Sequence, residues 1–119
     1  MKLFRVMKVD PDGKPLVGTR GYMLGVRPQG HTGRPDVNAA VDSDLVKPGE
    51  GLSTSLLPEK LKIGKNEAMF AIETDALGPA LEAAPDRSPH YLIQPRQDVT
   101  LAEFQQSLAD TRDLWEPVQ

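Results

Sequence analysis

The sequence predicts an α+β fold, in which short strands come first and one amphipathic helix docks on them at the end. Three observations predict it. Apolar alternation of the strand type recurs up to Pro95 and then stops. A capping-box spacing begins at Thr100. Eleven prolines and ten glycines, with only 5% aromatic residues, cut the chain upstream into short pieces around an aliphatic core. Strands followed by one docked helix fit an α+β arrangement better than alternating β-α units.

The elements follow in order. Residues 3–9 read as a strand closed by the turn Asp10-Pro11-Asp12-Gly13. Leu3, Arg5, Met7 and Val9 share one face and Phe4 and Val6 the other, so Arg5 stands in an apolar row. A guanidinium there needs a partner. Either it is held by an internal salt bridge or by water at a sheet edge, or it forms the anion-binding floor of a cleft. Residues 21–26 read as a second short strand. Residues 27–38 form a long loop with Arg27, His31 and Arg34, and residues 37–47 hold another short strand. Pro48-Gly49-Glu50-Gly51 is a tight turn leading into the polar strand Leu52-Ser53-Thr54-Ser55. A short helix or turn follows, with Pro58 near its start.

Residues 68–73 are the clearest core strand. Thr74 reads as the N-cap of a brief turn closed by Gly78-Pro79, and residues 80–89, broken by Pro85 and Pro89, read as a loop. Residues 90–94 form the last strand, with Tyr91 and Ile93 on one face and His90, Leu92 and Gln94 on the other. Thr100 and Glu103 make a capping box, with Val99 and Phe104 at the hydrophobic-staple positions. The helix runs over about residues 101–113, with Leu101, Phe104, Leu108 and Trp115 near one face.

A chain of 119 residues is one domain, 1–119, able to bury roughly two-thirds of its unfolded surface without a staple. It has no cysteine, which excludes disulfides, thiolate chemistry and Cys-ligated zinc. Two histidines and no Cys make no metal site expected, and Asp10-Pro11-Asp12-Gly13 lacks the closing Glu of a calcium loop. The net charge of −3, with both signs interspersed, lacks the basic patch of a nucleic-acid binder. There is no cleavable signal peptide and no apolar run for a membrane span, so the expected place of action is the cytoplasm, with no membrane partner.

Walker-type and dinucleotide-fingerprint glycine loops are absent. A Ser-His-acid triad can be assembled from Ser53 or Ser55 and His90, but no elbow glycines flank the serines. One constellation remains: Arg5 on the first strand, the segment 51–55 at mid-chain, and His90-Tyr91 opening the last strand. Small hydroxyls on a strand either form a plain exposed face or let a ligand approach and hydrogen-bond its ribose or carboxamide. An Arg fork suits phosphate and a His suits ribose or proton transfer, so together they suit a nucleotide with a pyrophosphate.

Leu3-Phe4-Arg5, Gly51-Leu52-Ser53-Thr54-Ser55 and His90-Tyr91-Leu92-Ile93-Gln94-Pro95 with a following amphipathic helix resemble ADP-ribosyltransferase-like folds. The pattern is most similar to the small toxin family typified by the type VI secretion exported effector two. That family has a Leu-Tyr-Arg-type first strand, a Gly-Gly-x-Ser segment and a His-Tyr-x-Ile-x-Pro strand in this order. Arg34-Pro35-Asp36-Val37 also resembles a family stretch. The resemblance implies a split, twisted antiparallel sheet with the C-terminal amphipathic helix packed on it. It implies a bacterial toxin that takes NAD as substrate, for ADP-ribosyl transfer or NAD cleavage, and a cognate antitoxin or immunity protein. Carried onto this chain, it implies Ser53 and His90 as catalytic residues and Arg5, Arg34 and Ser53 as NAD-binding residues. Ser53 matches the family spacing better than Ser55, and Arg27 is the substitute for Arg34.

The chain departs from the wider ADP-ribosyltransferase pattern, which ends on a catalytic Glu of a late strand. Here Gln94 stands on that strand, Glu73 ends the preceding one, and Glu103 belongs to the capping box. The alternative functions are therefore a non-catalytic nucleotide-binding protein or a protein-interaction module of the immunity or adaptor type. The sequence pI of about 5.3 favours the latter, since acidic proteins of this kind neutralise basic partners.

Overall fold

Strand β1 (Lys2–Lys8) occupies the middle of the structure because its alternation supplies one fully buried face: Leu3 and Met7 are completely enclosed. In the computed structural model, which describes residues Met1–Gln119, the chain continues through β2 (Leu45–Val46), β3 (Leu52–Ser55), β4 (Glu67–Glu73), β5 (Leu81–Arg87), β6 (His90–Pro95), β7 (Val99–Thr100), helix α1 (Leu101–Ala109) and β8 (Glu116–Pro117). Six strands form one antiparallel sheet in the order β5-β6-β3-β1-β4-β8, and β2 pairs with β7 separately. No helix is long and apolar enough to cross a membrane.

The register decides what each face carries. Strands β1 and β4 pair along their whole length, from Lys2↔Glu73 to Lys8↔Glu67, so Leu3 and Arg5 stand beside Ile72 and Phe70. Strands β3 and β6 pair from Leu52↔Ile93 to Ser55↔His90. The two three-stranded halves, β5-β6-β3 and β1-β4-β8, are joined at the single register position Phe4↔Ser55. Leu3, Met7, Leu52, Phe70, Ile72, Leu81 and Ile93 make the sheet's contribution to one core, which Leu101, Phe104 and Leu108 of α1 close from above together with Trp115. The opposite face of β3 and β6 carries Ser53, Ser55, His90 and Leu92.

Helix α1 begins where its cap dictates. Glu103 N donates to Thr100 Oγ1 (3.1 Å) and Thr100 N donates to Glu103 Oε1 (2.9 Å), the reciprocal capping box. The helix ends earlier than its pattern implies, at Ala109, and a 3₁₀ turn over Arg112–Leu114 follows. Thr111 Oγ1 donates to Leu108 O (2.6 Å) and accepts from Trp115 Nε1 (3.0 Å). Trp115 therefore reaches the core from beyond the helix, and β8 then adds an edge strand to β4 that the sequence pattern does not announce.

Three further expectations are corrected. Residues 80–89 are not a loop: Leu81–Arg87 form β5, with a register shift between Pro85 and Arg87. Proline is admissible there because β5 is the outermost strand, where an absent N–H leaves no ladder bond unmade. Residues 21–26 are not a strand, and only an isolated bridge, Val17↔Leu24, forms. Tyr22 lies at φ 63°, which no strand residue adopts, and the backbone of Val26 is instead bonded by the Gln105 amide of α1, at 2.9 Å to its N–H and 2.7 Å to its carbonyl. Thr74 opens a 3₁₀ turn but makes no side-chain cap bond. The short turn at Pro58–Lys60 and the pair of strand residues Leu45–Val46 lie where the sequence places them.

The capping box links stability to acid. The Thr100 N–H and hydroxyl hold the Glu103 carboxyl below its ordinary 4.5, and the N–H groups of Ala40 and Val41 hold Asp44 below 3.8. A depressed carboxyl contributes stability that is complete above its unfolded pKa and is lost as pH falls through its folded value. Urea midpoints should therefore be flat from neutral pH down to about 4.5 and fall below it. Thr100→Ala should cost about 1 kcal/mol at neutral pH and shallow the acid limb. An unchanged urea midpoint at both pH values would disprove the role of the cap.

Candidate functional site

Two depressions open on the face and edge left free by the core, and they share Ser53, Pro89 and His90. The larger, about 970 Å³, is lined by Arg34, Asp36, Asn38, Gly51, Asp86 and Leu92 among others. The smaller, about 440 Å³, lies by the joint between the sheet halves and is lined by Phe4, Arg5, Tyr22, Ser55, Leu61 and Lys62 among others. The fold thus brings Arg5, Ser53 and His90 into one concavity, although they are far apart in sequence, and sets Arg34 in the adjoining one.

Arg5 resolves the question posed by its apolar row. It has no carboxylate within 4.0 Å and is not on an edge strand. Its Nη1 donates to Ser53 O (2.9 Å) of β3 and its Nη2 to Met23 O (2.9 Å) in the segment that leads into the long loop, while the buried Nε has no partner. Burial pushes its pKa down to about 10, against the opposing pull of Asp36 and Tyr22. It remains a cation at neutral pH, fixed in place by two carbonyls and neutralised by no acid in contact.

Ser53 and His90 approach from adjacent strands. Ser53 is in register with Leu92, two residues beyond His90, so the two side chains are diagonal neighbours on the same face, about 7 Å apart. Ser53 Oγ makes no hydrogen bond with the protein, whereas Ser55 is buried and occupied. Ser55 Oγ donates to Leu57 O (3.1 Å) and accepts from Leu57 N (3.0 Å). His90 Nδ1 lies 2.8 Å from Asp86 Oδ2, and both are partly exposed. With the proton on Nδ1 donated to Asp86, Nε2 is left as an acceptor for a hydroxyl or water in the cleft. Gly51 lets β3 run close to β6, since a β-carbon there would overlap the Ile93 carbonyl.

Arg27 and Arg34 play different parts. Arg27 Nη1 donates to Arg34 O (2.9 Å), and its guanidinium lies so close to Gly21 and Gly33 that a β-carbon on either would overlap it. Asp36 closes the same loop by accepting from Arg27 N (2.7 Å). Arg34 is thereby presented exposed at the larger depression, with its own guanidinium unbonded. Gln94, at the position of the expected Glu, is buried and spent on structure: its Oε1 accepts from Gly49 N (2.9 Å) and its Nε2 donates to Glu82 (3.0 Å). Glu73 meets the N-terminal ammonium at 3.3 Å and lines neither depression.

The sequence reading missed Asp86 and Tyr22. Asp86 was hidden in a segment read as loop: it lies at the register shift of β5 between Pro85 and Arg87, next to the residue paired with His90, and only that hairpin brings its carboxylate to the imidazole. Tyr22 was hidden in a supposed strand. Its φ of 63° is a costly conformation for an aromatic residue, held where Lys8 N donates to Tyr22 O (2.6 Å), and it leaves the ring exposed at the mouth of the smaller depression.

The charges sort themselves by place. Seven arginines occur in the chain. Arg96 and Arg112 have carboxylate partners and line none of these depressions. Arg5, Arg27, Arg34 and Arg87 have none within 4.0 Å, and each lines one of the two. Guanidiniums without a carboxylate in contact, beside a free hydroxyl and an oriented imidazole, suit a ligand that carries both anionic oxygens and hydroxyls, while Asp36, Glu50 and Asp86 balance part of the charge of the larger depression.

The serines should separate in stability. Ser53→Ala should leave the urea midpoint within about 0.5 kcal/mol of wild type, because the hydroxyl is unbonded. Ser55→Ala should lose about 1–2 kcal/mol, because two buried hydrogen bonds go with it. Equal losses at both positions would show that Ser53 is a structural hydroxyl.

Comparison with curated proteins gives no match, and comparison with solved structures gives none. A family model described as Tse2 ADP-ribosyltransferase toxin matches residues 1–115 of the 119. That span contains the first strand with Arg5, the Ser53 strand, the Asp86–His90 hairpin and the capped helix that backs them, and the chain accordingly belongs to the Tse2 ADP-ribosyltransferase toxin family.

Proposed function

We propose that the protein is a toxin that binds NAD across the two joined depressions and either transfers its ADP-ribosyl group or hydrolyses it. The observation that carries this reading is Arg5: a guanidinium fixed by two carbonyls, unneutralised by any acid in contact, beside a free Ser53 hydroxyl and an Asp86-oriented His90. The single joint between the sheet halves supports the split, twisted sheet that the family resemblance implies.

In this reading Arg5 and Arg34 take the pyrophosphate oxygens, Arg5 as a preset fork and Arg34 as a mobile one. Ser53 donates to the ribose or carboxamide of the nicotinamide half, and His90 Nε2 accepts from a ribose hydroxyl. The bond between nicotinamide and ribose breaks with positive charge developing on the sugar, so a nearby carboxylate stabilises the transition state. Gln94 cannot supply it, being neutral and already bonded, and Asp86 is the carboxylate coupled to His90. Delivery by a bacterial type VI secretion system, action in the cytoplasm and neutralisation by a cognate immunity protein complete the proposal. The competing reading, nucleotide binding without catalysis, is favoured by one observation, the commitment of Gln94 to structure.

Thermal melts with and without millimolar NAD test the proposal. The wild-type melting temperature should rise with NAD, and the rise should vanish in Ser53→Ala and shrink in Arg5→Lys, whose ammonium cannot form two parallel bonds to phosphate. Nicotinamide release should accompany binding and be abolished by Asp86→Asn with binding retained. No wild-type shift would end the NAD reading, and a shift without release would establish the non-catalytic one. Tyr22→Gly should raise stability by about 1 kcal/mol through relief of the left-handed backbone. It should also weaken NAD binding if the ring covers the bound nucleotide, and gain in stability with unchanged binding would remove Tyr22 from the site.

A further inference from the structure

A third depression adjoins Arg27, about 620 Å³, lined by Thr19, Arg20, Arg27, Gly30, His31 and Thr32. It shares no residue but Arg27 with the two described above. No acid lines it, and the surrounding sequence explains why: no Asp or Glu occurs between Asp12 and Asp36, while Lys14, Arg20, Arg27, His31 and Arg34 all do. In a chain of net charge −3 this is the one long stretch where the signs are not interspersed. Arg20 and His31 are exposed and bonded to nothing in the protein, and the buried Nε of Arg27 has no partner. Two guanidiniums around one depression without a carboxylate repel each other, and an anion bridging them relieves that repulsion.

We propose that this depression binds a phosphate dianion, at a site separate from the nucleotide cleft. The lining decides the class of ligand. It offers two planar donor forks, an imidazole and two hydroxyls, the donor set of a phosphate site. It offers no apolar or aromatic side chain on which a base could stack, so the phosphate is recognised without a nucleoside. Arg27 connects the site to the larger depression, because its Nη1 holds the carbonyl of Arg34 and its backbone exchanges bonds with Asp36 (2.7 and 2.8 Å). A phosphate on Arg27 therefore fixes the loop that presents Arg34. This site does not depend on NAD being the substrate of the other cleft.

Backbone amide NMR of the full chain, titrated with inorganic phosphate against sodium chloride at equal ionic strength, tests it in the absence of NAD. Saturable shifts are expected at Arg20, Gly30, His31 and Thr32, with smaller ones at Arg34 and Asp36. A parallel titration with phenyl phosphate distinguishes the source: equal or tighter binding identifies the phosphate end of a larger molecule, and exclusion of the ester identifies free phosphate. Arg20→Ala should weaken binding by about tenfold, the size of one lost charge-assisted interaction. His31→Asn is a second, milder variant and should weaken it less. Arg34→Ala should leave phosphate affinity within about twofold, because Arg34 does not line this depression. Shifts reproduced by chloride, shifts centred on Arg5 and Ser53, or an Arg20→Ala affinity equal to wild type would each overturn the proposal.

Discussion

The structure depends on how the Arg5 guanidinium is held. The two halves of the sheet meet in register at one position only, and immediately beyond it Arg5 Nη1 takes the Ser53 carbonyl in place of a ladder bond. Its other nitrogen takes Met23 O, which anchors the segment leading into the long loop. One side chain thus joins β1, β3 and that segment. Replacing it with an apolar residue would leave two carbonyls without their donor and would remove the constraint that positions Ser53.

The second constraint is the close spacing of β3 and β6. Gly51 admits the Ile93 carbonyl, Gln94 ties the Gly49 turn to Glu82, and Leu52 and Ile93 fill the core beneath. The side chains left on the opposite face, Ser53 and His90, are therefore set by a packed layer and not by loops, and their relative position is correspondingly fixed. The Gln105 amide performs a similar service for the long loop by bonding both backbone groups of Val26 from the helix.

What was legible in the sequence was local. The Thr100–Glu103 box specifies a helix start by itself, and alternation over residues 3–9 and 90–94 specifies faces without knowledge of the partners. Strand β5 was illegible because its proline, Pro85, is permitted only by its edge position, a property of the sheet and not of the segment. The supposed strand at 21–26 failed because Tyr22 takes a backbone conformation paid for by tertiary bonds. The same two errors concealed the missing parts of the site. Arg5, Ser53 and His90 could be named from short motifs, whereas Asp86 needed the hairpin and Tyr22 needed the loop.

The arginines supply an internal control on function. Arg112 is what a structural arginine looks like in this protein: it draws Asp10, Asp12 and Asp113 around itself and pins the turn after the helix to the turn after β1. Arg96 has Glu82. The same chain, with 17 acidic residues available, places no carboxylate within 4.0 Å of the other five arginines, and all five line a depression. Random surface placement would leave some unpaired arginines on convex ground; the acids that share the larger depression, Asp36, Glu50 and Asp86, stand more than 4.0 Å from every guanidinium. Guanidiniums without a carboxylate in contact keep donor capacity that an anionic ligand could take up. The distribution of partners, more than any single residue, separates the carboxylate-paired arginines from those that line the depressions.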